Sequence, residues 1–261
     1  MINQNMQKRG QVSVFVIIGI VAVAAIIFVF LLFRSVEEKA REVRGTGEYL
    51  GSQLGDIKSE VEECVGDVAN ELLDGLYDGG GNLNPERYAN YYGKRVNVLC
   101  YEVREDESCY NFMFTKEEVV EQMLPVLEQE IKGCADGKLI FFEDQDYTIN
   151  RGEFSLDKEG FIFDDERLLV TVNYPITLFK ENDEQTEEKF SAAINTNFWQ
   201  VAGIVREIVN TLSGGGNIDM VLLGKKYVFF DIDRTLYSDG SVYMIKPRYG
   251  DQRIFYFAAE S

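Results

Sequence analysis

The stretch Val36–Val68, VEEKAREVRGTGEYLGSQLGDIKSEVEECVGDV, places apolar or small residues at Val36, Ala40, Val43, Gly47, Leu50, Leu54, Ile57, Val61, Cys64 and Val68. The steps alternate between four and three. A heptad seam held this long specifies one helix with one buried stripe. The opposite face carries Glu37, Glu38, Lys39, Glu42, Lys58, Glu62, Glu63 and Asp67. The stripe therefore lies against a partner helix or against the chain's own globular part, and a homodimeric coiled coil would satisfy it equally. Gly45, Gly47, Gly51 and Gly55 each weaken the helix by roughly 1 kcal/mol relative to Ala, and a bend or break is expected near Gly45–Gly47. The run Asp78-Gly79-Gly80-Gly81-Asn82 is a strong stop, so the helix should end near Leu76.

Upstream of the seam, Val12 to Phe33 form 22 residues without a charge. At ~1.5 Å per residue they span about 33 Å, enough for a bilayer core of roughly 30 Å. Lys8 and Arg9 precede the run and no acid does, which places the N-terminus in the cytoplasm and the bulk of the chain outside. A cleaved secretory signal would have an apolar core of roughly 7–15 residues with small residues behind it. Here Phe30-Leu31-Leu32-Phe33 closes the run. The expected organisation is a cytoplasmic leader (1–10), a transmembrane helix (11–34), an extracytoplasmic stalk helix (35–77) and a head (78–261). Residues 12–33 contact membrane lipid.

Lys8-Arg9-Gly10-Gln11-Val12-Ser13 before an apolar helix resembles the class III signal peptide of archaeal type IV pilin-like proteins. The resemblance implies a prepilin-type peptidase as partner, cutting between Gly10 and Gln11 so that the helix becomes the new N-terminus. Gln11 and Ser13 match the family's Q-x-S pattern. Phe15 departs from it: many pilins carry Glu there, which docks a subunit into a filament. The departure bears on polymerisation more than on membrane insertion. A long N-terminal helix, half in the membrane and half packed on a head, is also implied. The resemblance covers the leader and apolar helix only; the remainder loosely resembles uncharacterised membrane-anchored surface proteins of small-genome archaea, which implies no activity.

Charge narrows the partners. The whole chain carries −18, and because the first 34 residues hold three cations and no acid, residues 35–261 carry −21. Nucleic acid and anionic lipid surfaces both require a basic face, so neither is expected as a partner. Four cysteines, Cys64, Cys100, Cys109 and Cys134, all lie on the outer side. An oxidising exterior favours two disulfides, with three connectivities possible. No Cys pair has C-x-x-C spacing and the chain has no His, so a metal site is not expected.

Residues 95–114 read as a hairpin with Val96, Val98 and Cys100 on one arm, Cys109, Phe112 and Phe114 on the other, and Arg104-Glu105-Asp106-Glu107 at the turn. Thr115-Lys116-Glu117-Glu118 is a capping box that opens a helix to about Gly133, with Pro125 expected to kink it. These elements pair Cys100 with Cys109 across the hairpin and Cys64 with Cys134 between the two helices. From Leu139-Ile140-Phe141-Phe142 onward the pattern turns to strands. The cleanest is 168–178, with Leu168, Val170, Val172, Tyr174, Ile176 and Leu178 on one face. Pro175 predicts that this strand lies at an edge or stops pairing there. Residues 188–194 should pair back across a charged turn at 180–187. A helix at 197–212 follows, ended by Gly214-Gly215-Gly216, then strands at 219–237, 241–247 and 252–259. Helices on antiparallel sheet make the head α+β.

Val228-Phe229-Phe230-Asp231-Ile232-Asp233-Arg234-Thr235-Leu236 resembles hhhDxDxTL, the first motif of haloacid-dehalogenase-type phosphatases. The resemblance implies a nucleophilic Asp231, a proton-shuttling Asp233 and Mg²⁺. The motif should begin an α/β domain, yet only 26 residues follow Thr235. Alternation of Val228, Phe230, Ile232 and Leu236 with the acids instead describes a half-buried strand. Without His, a Ser-His-Asp or Cys-His arrangement cannot form. The triple glycines lack the lysine and setting of a phosphate loop. Asp164-Asp165 and Asp144/Asp146 lack the spacing of a Ca²⁺ loop and read as solvated turns. Trp199 and the aromatics Tyr91, Tyr92, Tyr110, Phe255, Tyr256 and Phe257 read as core with a share in a binding face. The expectation is a non-enzymatic, cofactor-free surface protein. It is either a pilin-like subunit that contacts like subunits, or a stand-alone anchored binding domain, dimeric through the stalk. An extracytoplasmic hydrolase is the remote third reading.

Overall fold

The computed structural model describes residues 47–102, 109–143, 147–156, 158–237 and 240–260. The leader, the apolar run 12–33 and the seam before Gly47 lie outside these. Among the described residues no helix is long and apolar enough to cross a membrane. The described part is α+β, with four helices and two mainly antiparallel sheets.

Helix α1 covers 47–78. Its buried stripe is Leu50, Leu54, Ile57, Val61, Val65, Ala69, Leu73 and Leu76. As far as Cys64, which is also buried, this is the expected heptad. Beyond it Val65, Ala69 and Leu73 follow at steps of four and Val68 moves to the margin. A stripe drifting toward the natural 3.6-residue period suits a straight helix on a globular surface rather than a supercoiled pair. The stripe is in fact covered by the chain's own head: α1, the other helices and both sheets share one core. A homodimeric coiled coil through 50–76 is thereby excluded. The head's core also begins inside the segment expected to be a separate stalk. The stop works as expected. The Gly81 N–H donates to the Leu76 carbonyl, and Gly80 and Gly81 take φ of +66° and +83°. A Cβ on Gly81 would lie 2.1 Å from the Phe114 ring, so glycine is required there twice over.

Strands β1 (Tyr88–Tyr91), β2 (Lys94–Tyr101) and β3 (Tyr110–Asn111) follow. Helix α2 (Lys116–Leu139) opens with the expected capping box, Thr115 and Glu118 each satisfying the other's backbone N–H. It runs as one element through Pro125 and continues past Gly133, then tightens into a 3-10 turn at Ile140–Phe142 where a strand was expected. The reason is its stripe, Val119, Met123, Leu127, Ile131, Ala135 and Leu139, which keeps a four-residue step to the end. Gly133 and Gly137 face open space and interrupt nothing. Cys64–Cys134 and the Lys138–Glu60 ion pair (2.5 Å) lock α2 antiparallel to α1.

Strands β4 (Thr148–Arg151), β5 (Phe161–Phe163), β6 (Arg167–Lys180) and β7 (Asp183–Asn195) form the first sheet. All six predicted core positions of β6 are buried. The strand is central, however, paired to β4 and β5 on one side and β7 on the other. Pro175 is tolerated because it sits at a register shift between Asn173 and Ile176, and its carbonyl still accepts the Gly152 N–H. The connection to β7 is only Glu181-Asn182, so β7 starts well before the expected position.

Helix α3 (Phe198–Ser213) matches expectation and buries Phe198 among Tyr77, Phe163 and Phe255. Helix α4 (Met220–Lys226) replaces the first part of the strand expected at 219–237. Asp219 caps it, accepting the N–H groups of Val221 and Leu222, and Lys225 and Lys226 complement its final carbonyls. Strands β8 (Phe230–Tyr237), β9 (Gly240–Pro247) and β10 (Phe255–Glu260) complete the second sheet, ordered β1-β2-β10-β9-β8 with β3 on β2. Among the described residues only β2 and β10 run parallel.

Candidate functional site

The second sheet has two dry faces. Opposite β10, two residues of β2 occupy the place of one: Val98 pairs with Ala258 and Cys100 with Ala259. This bulge turns both Leu99 and Cys100 into the main core. Val96 and Val98 are left on the other face, where with Val242 and Ala258 they form a second, smaller core. Its cover is aromatic: Tyr91, Tyr101, Tyr237 and Tyr256, with Ala89.

The sheet rolls to make this possible. Tyr91 belongs to β1, four strands from β8, about 19 Å away in a flat sheet. Yet its hydroxyl lies 3.5 Å from the Met244 sulfur on β9 and 3.4 Å from the Thr235 hydroxyl on β8. Beside it the β1–β2 turn, Tyr92-Gly93, has φ of +47° and +84°. Two positive φ angles in a two-residue connection are the requirement of a type I′ turn, which favours Asn-Gly. Tyrosine fits it poorly, and Tyr92 is 91% exposed. Two cations dress the same surface, each over a ring, Arg87 over Tyr101 (3.9 Å) and Lys94 over Tyr256 (4.5 Å), while Arg95 lies over Tyr88 (5.5 Å) on the opposite face of the β1–β2 hairpin. Residues 87–101 contain no acid at all, in a chain of net −18. Arg87 pairs with Glu260 and Lys94 with Asp78. The arrangement offers exposed aromatic rings backed by cations, suited to stacking.

Replacing Tyr92 by Asn should relieve the backbone and raise stability by roughly 1 kcal/mol. Urea denaturation of the two proteins measures this; a destabilised variant would mean that the exposed ring contributes to the fold.

Gly10, Gln11 and Ser13, proposed for processing, lie outside the described residues, as do Asp144 and Asp146. The cysteines pair as expected, Cys64 with Cys134 and Cys100 with Cys109. The aromatics divide: Phe255 and Phe257 are fully buried in the main core, Trp199 packs on Phe163 and Phe198, Tyr110 is partly exposed on β3, and Tyr91, Tyr92 and Tyr256 build the outer face. The phosphatase-like motif falls on β8, an edge strand antiparallel to β9, with Asp231 ion-paired to Arg248 at 2.8 Å. Its expected apolar alternation holds only at Phe230 and Ile232, since Val228 and Leu236 are exposed at the sheet edge. Asp164 closes a turn: backbone N–H donation from Glu166 and Arg167, aided by the Arg167 side chain, holds its carboxyl below the ordinary range. Among the described residues no group of three or more His, Cys, Asp or Glu is placed to hold a metal ion.

Hairpin β1–β2 escaped the sequence reading. Its turn lacks the Asn or Asp that normally marks a type I′ turn, and Gly93 was the sole cue. Comparison of the chain with protein-family models, curated proteins and solved structures finds no match.

Proposed function

We propose that this chain is a non-enzymatic cell-surface protein, a pilin-like subunit or minor component of an extracellular structure. It is anchored through residues 12–33 and uses the tyrosine face as its contact surface. Tyr92 carries the reading: a large aromatic ring, 91% exposed, stands at a turn position where a smaller residue would be more stable, and it offers its surface for contact. Two disulfides support an oxidising, extracytoplasmic setting for the head.

Intact-mass analysis of the protein isolated from its native membrane tests the leader. The expected N-terminus is Gln11, and an intact Met1 end would sink pilin-type processing. On whole cells, Tyr92→Asn should reduce surface adhesion or assembly while leaving the protein folded; unchanged behaviour would remove the tyrosine face from the proposal. A stand-alone anchored binding domain is the second reading. It is favoured by the burial of the α1 stripe in the chain's own head, which leaves no seam at 50–76 for a like subunit. Sheared filaments containing this chain would decide for the first reading.

A further inference from the structure

The loop between α1 and β1, the β2–β3 edge and the first turns of α2 enclose a cavity of about 510 Å³, within the range of small-molecule sites. One wall is a stack of three planar groups. The Arg87 guanidinium lies 3.9 Å from the Tyr101 ring centroid, and Phe112 lies parallel to Tyr101 at 4.1 Å, with 2° between the planes. Two planar groups this close to one ring must take its opposite faces. Tyr101 is therefore covered on both sides and Phe112 ends the stack. Phe112 is 43% exposed, and among the described residues no second ring or cation covers it. The platform is fixed at both ends. Glu260 accepts from Arg87 through both carboxylate oxygens, and the Phe112 N–H donates to the Leu99 carbonyl at 2.9 Å.

The polar groups around the platform are only partly used. Asn82 spends its Oδ1 on the Asn84 N–H, which leaves its Nδ2 donors. Glu118 spends one carboxylate oxygen on the Thr115 N–H, which leaves the other. Asn97 and Glu86 line the same cavity, and among the described residues nothing bonds the side chain of either. Asn97 stands two residues from Leu99 on β2, roughly 7 Å along the strand and about the span of one pyranose ring with its hydroxyls. The uncommitted set thus mixes amide donors with amide and carboxylate acceptors. Arg87, the cation in the wall, is already neutralised by Glu260, so an anion would meet two carboxylates and no free positive charge. A cation would leave the amide donors unused, on a stack whose far end is already a guanidinium. A purely aromatic ligand would leave every polar group unpaired. Sugar hydroxyls both donate and accept, and the C–H face of a pyranose fits the negative face of an aromatic ring.

We propose that this cavity binds a neutral saccharide, one pyranose stacked on Phe112 with its hydroxyls on Asn82, Asn97 and Glu86. The assignment does not depend on how the chain is anchored, and Tyr92 takes no part in it.

Calorimetric titration of the full chain, in a detergent without a sugar headgroup, tests it with cellohexaose, chitohexaose and mannohexaose as probes. At least one should bind. A carboxylated oligogalacturonate of similar length should bind at least about tenfold more weakly, because Glu86 and Glu118 repel it. Phe112→Leu keeps apolar bulk but removes the ring face, and should cost about tenfold in affinity, whereas Phe112→Tyr should retain it. Asn97→Ala breaks no hydrogen bond of the free protein, so its melting temperature should hold while affinity falls severalfold; it reports even if Phe112→Leu misfolds. Tyr92→Asn should leave affinity unchanged, which keeps a failure here distinct from a failure of the tyrosine face. Absence of binding by all three hexasaccharides, equal binding of the oligogalacturonate, competition by choline chloride, or unchanged affinity in Asn97→Ala would overturn the assignment.

Discussion

Arg253→Met is expected to lower stability by about 3–5 kcal/mol, the cost of stripping one partner from a buried ion pair. Arg253 is 20% exposed at its side chain and Asp251 only 3%. The guanidinium donates to Asp251 at 3.0 Å, to Asp74, and to the Asn70 Oδ1 at 2.7 Å. Asp74 and Asn70 lie on α1, so one side chain ties the first helix to the loop between β9 and β10. Tyr77 adds a hydrogen bond to Asp251 at 3.0 Å, and its phenol, pushed far up by burial, stays a donor. Once Arg253 is gone, Asp251 remains as a buried anion held only by Tyr77 and the backbone N–H of residue 253. Arg253→Lys keeps the charge but loses the planar fork, and should recover only part of the loss. Arg253→Met with Asp251→Leu removes both charges and should recover more than half. Urea midpoints of the three variants check the series. A single-variant loss below about 1 kcal/mol would mean that water reaches Asp251 and the pair is effectively a surface one.

The second large effect belongs to Cys64–Cys134. The bridge closes a sequence separation of 70, and in the chain-entropy model its removal costs about 4 kcal/mol. Cys64→Ala/Cys134→Ala should therefore melt roughly 8–16 °C lower, taking 2–4 °C per kcal/mol for a domain of this size. Cys100–Cys109 spans a separation of nine, and the same relation gives roughly 2.5 kcal/mol for it. Calorimetry of both double variants tests the order as well as the size. A larger loss from the short bridge would show that native packing around Cys100, rather than unfolded-chain entropy, dominates.

Much of the architecture rests on local signals that the chain states outright. The alternation from Leu168 to Leu178 can only be a strand with one buried face. Thr115 and Glu118 start a helix whatever lies around them, and the glycines at 79–81 end α1 because only glycine adopts the required φ beside Phe114. Of the three connectivities open to the four cysteines, the one that joins the two helices and closes the hairpin is the one formed. The errors fall where local signals are weak or shared. Residues 219–226 are apolar enough for a strand, and Asp219 as a cap decides for a helix only once the segment is free of a sheet partner. The strand expected at Leu139 disappears because α2 still has core to cover at Ala135 and Leu139.

The amino-acid sequence by itself therefore determined that there is a helix ending at the 79–81 glycines, an α+β architecture among the described residues and two disulfides, because capping, periodicity and glycine stops act over a few residues. Tertiary structure alone decided which surface takes the α1 stripe, that the second sheet rolls until Tyr91 meets Thr235, and that Asn82, Asn97 and Phe112 converge on one cavity. Those outcomes depend on contacts between residues far apart in the chain, where a buried stripe or an aromatic ring has many partners open to it and packing selects one.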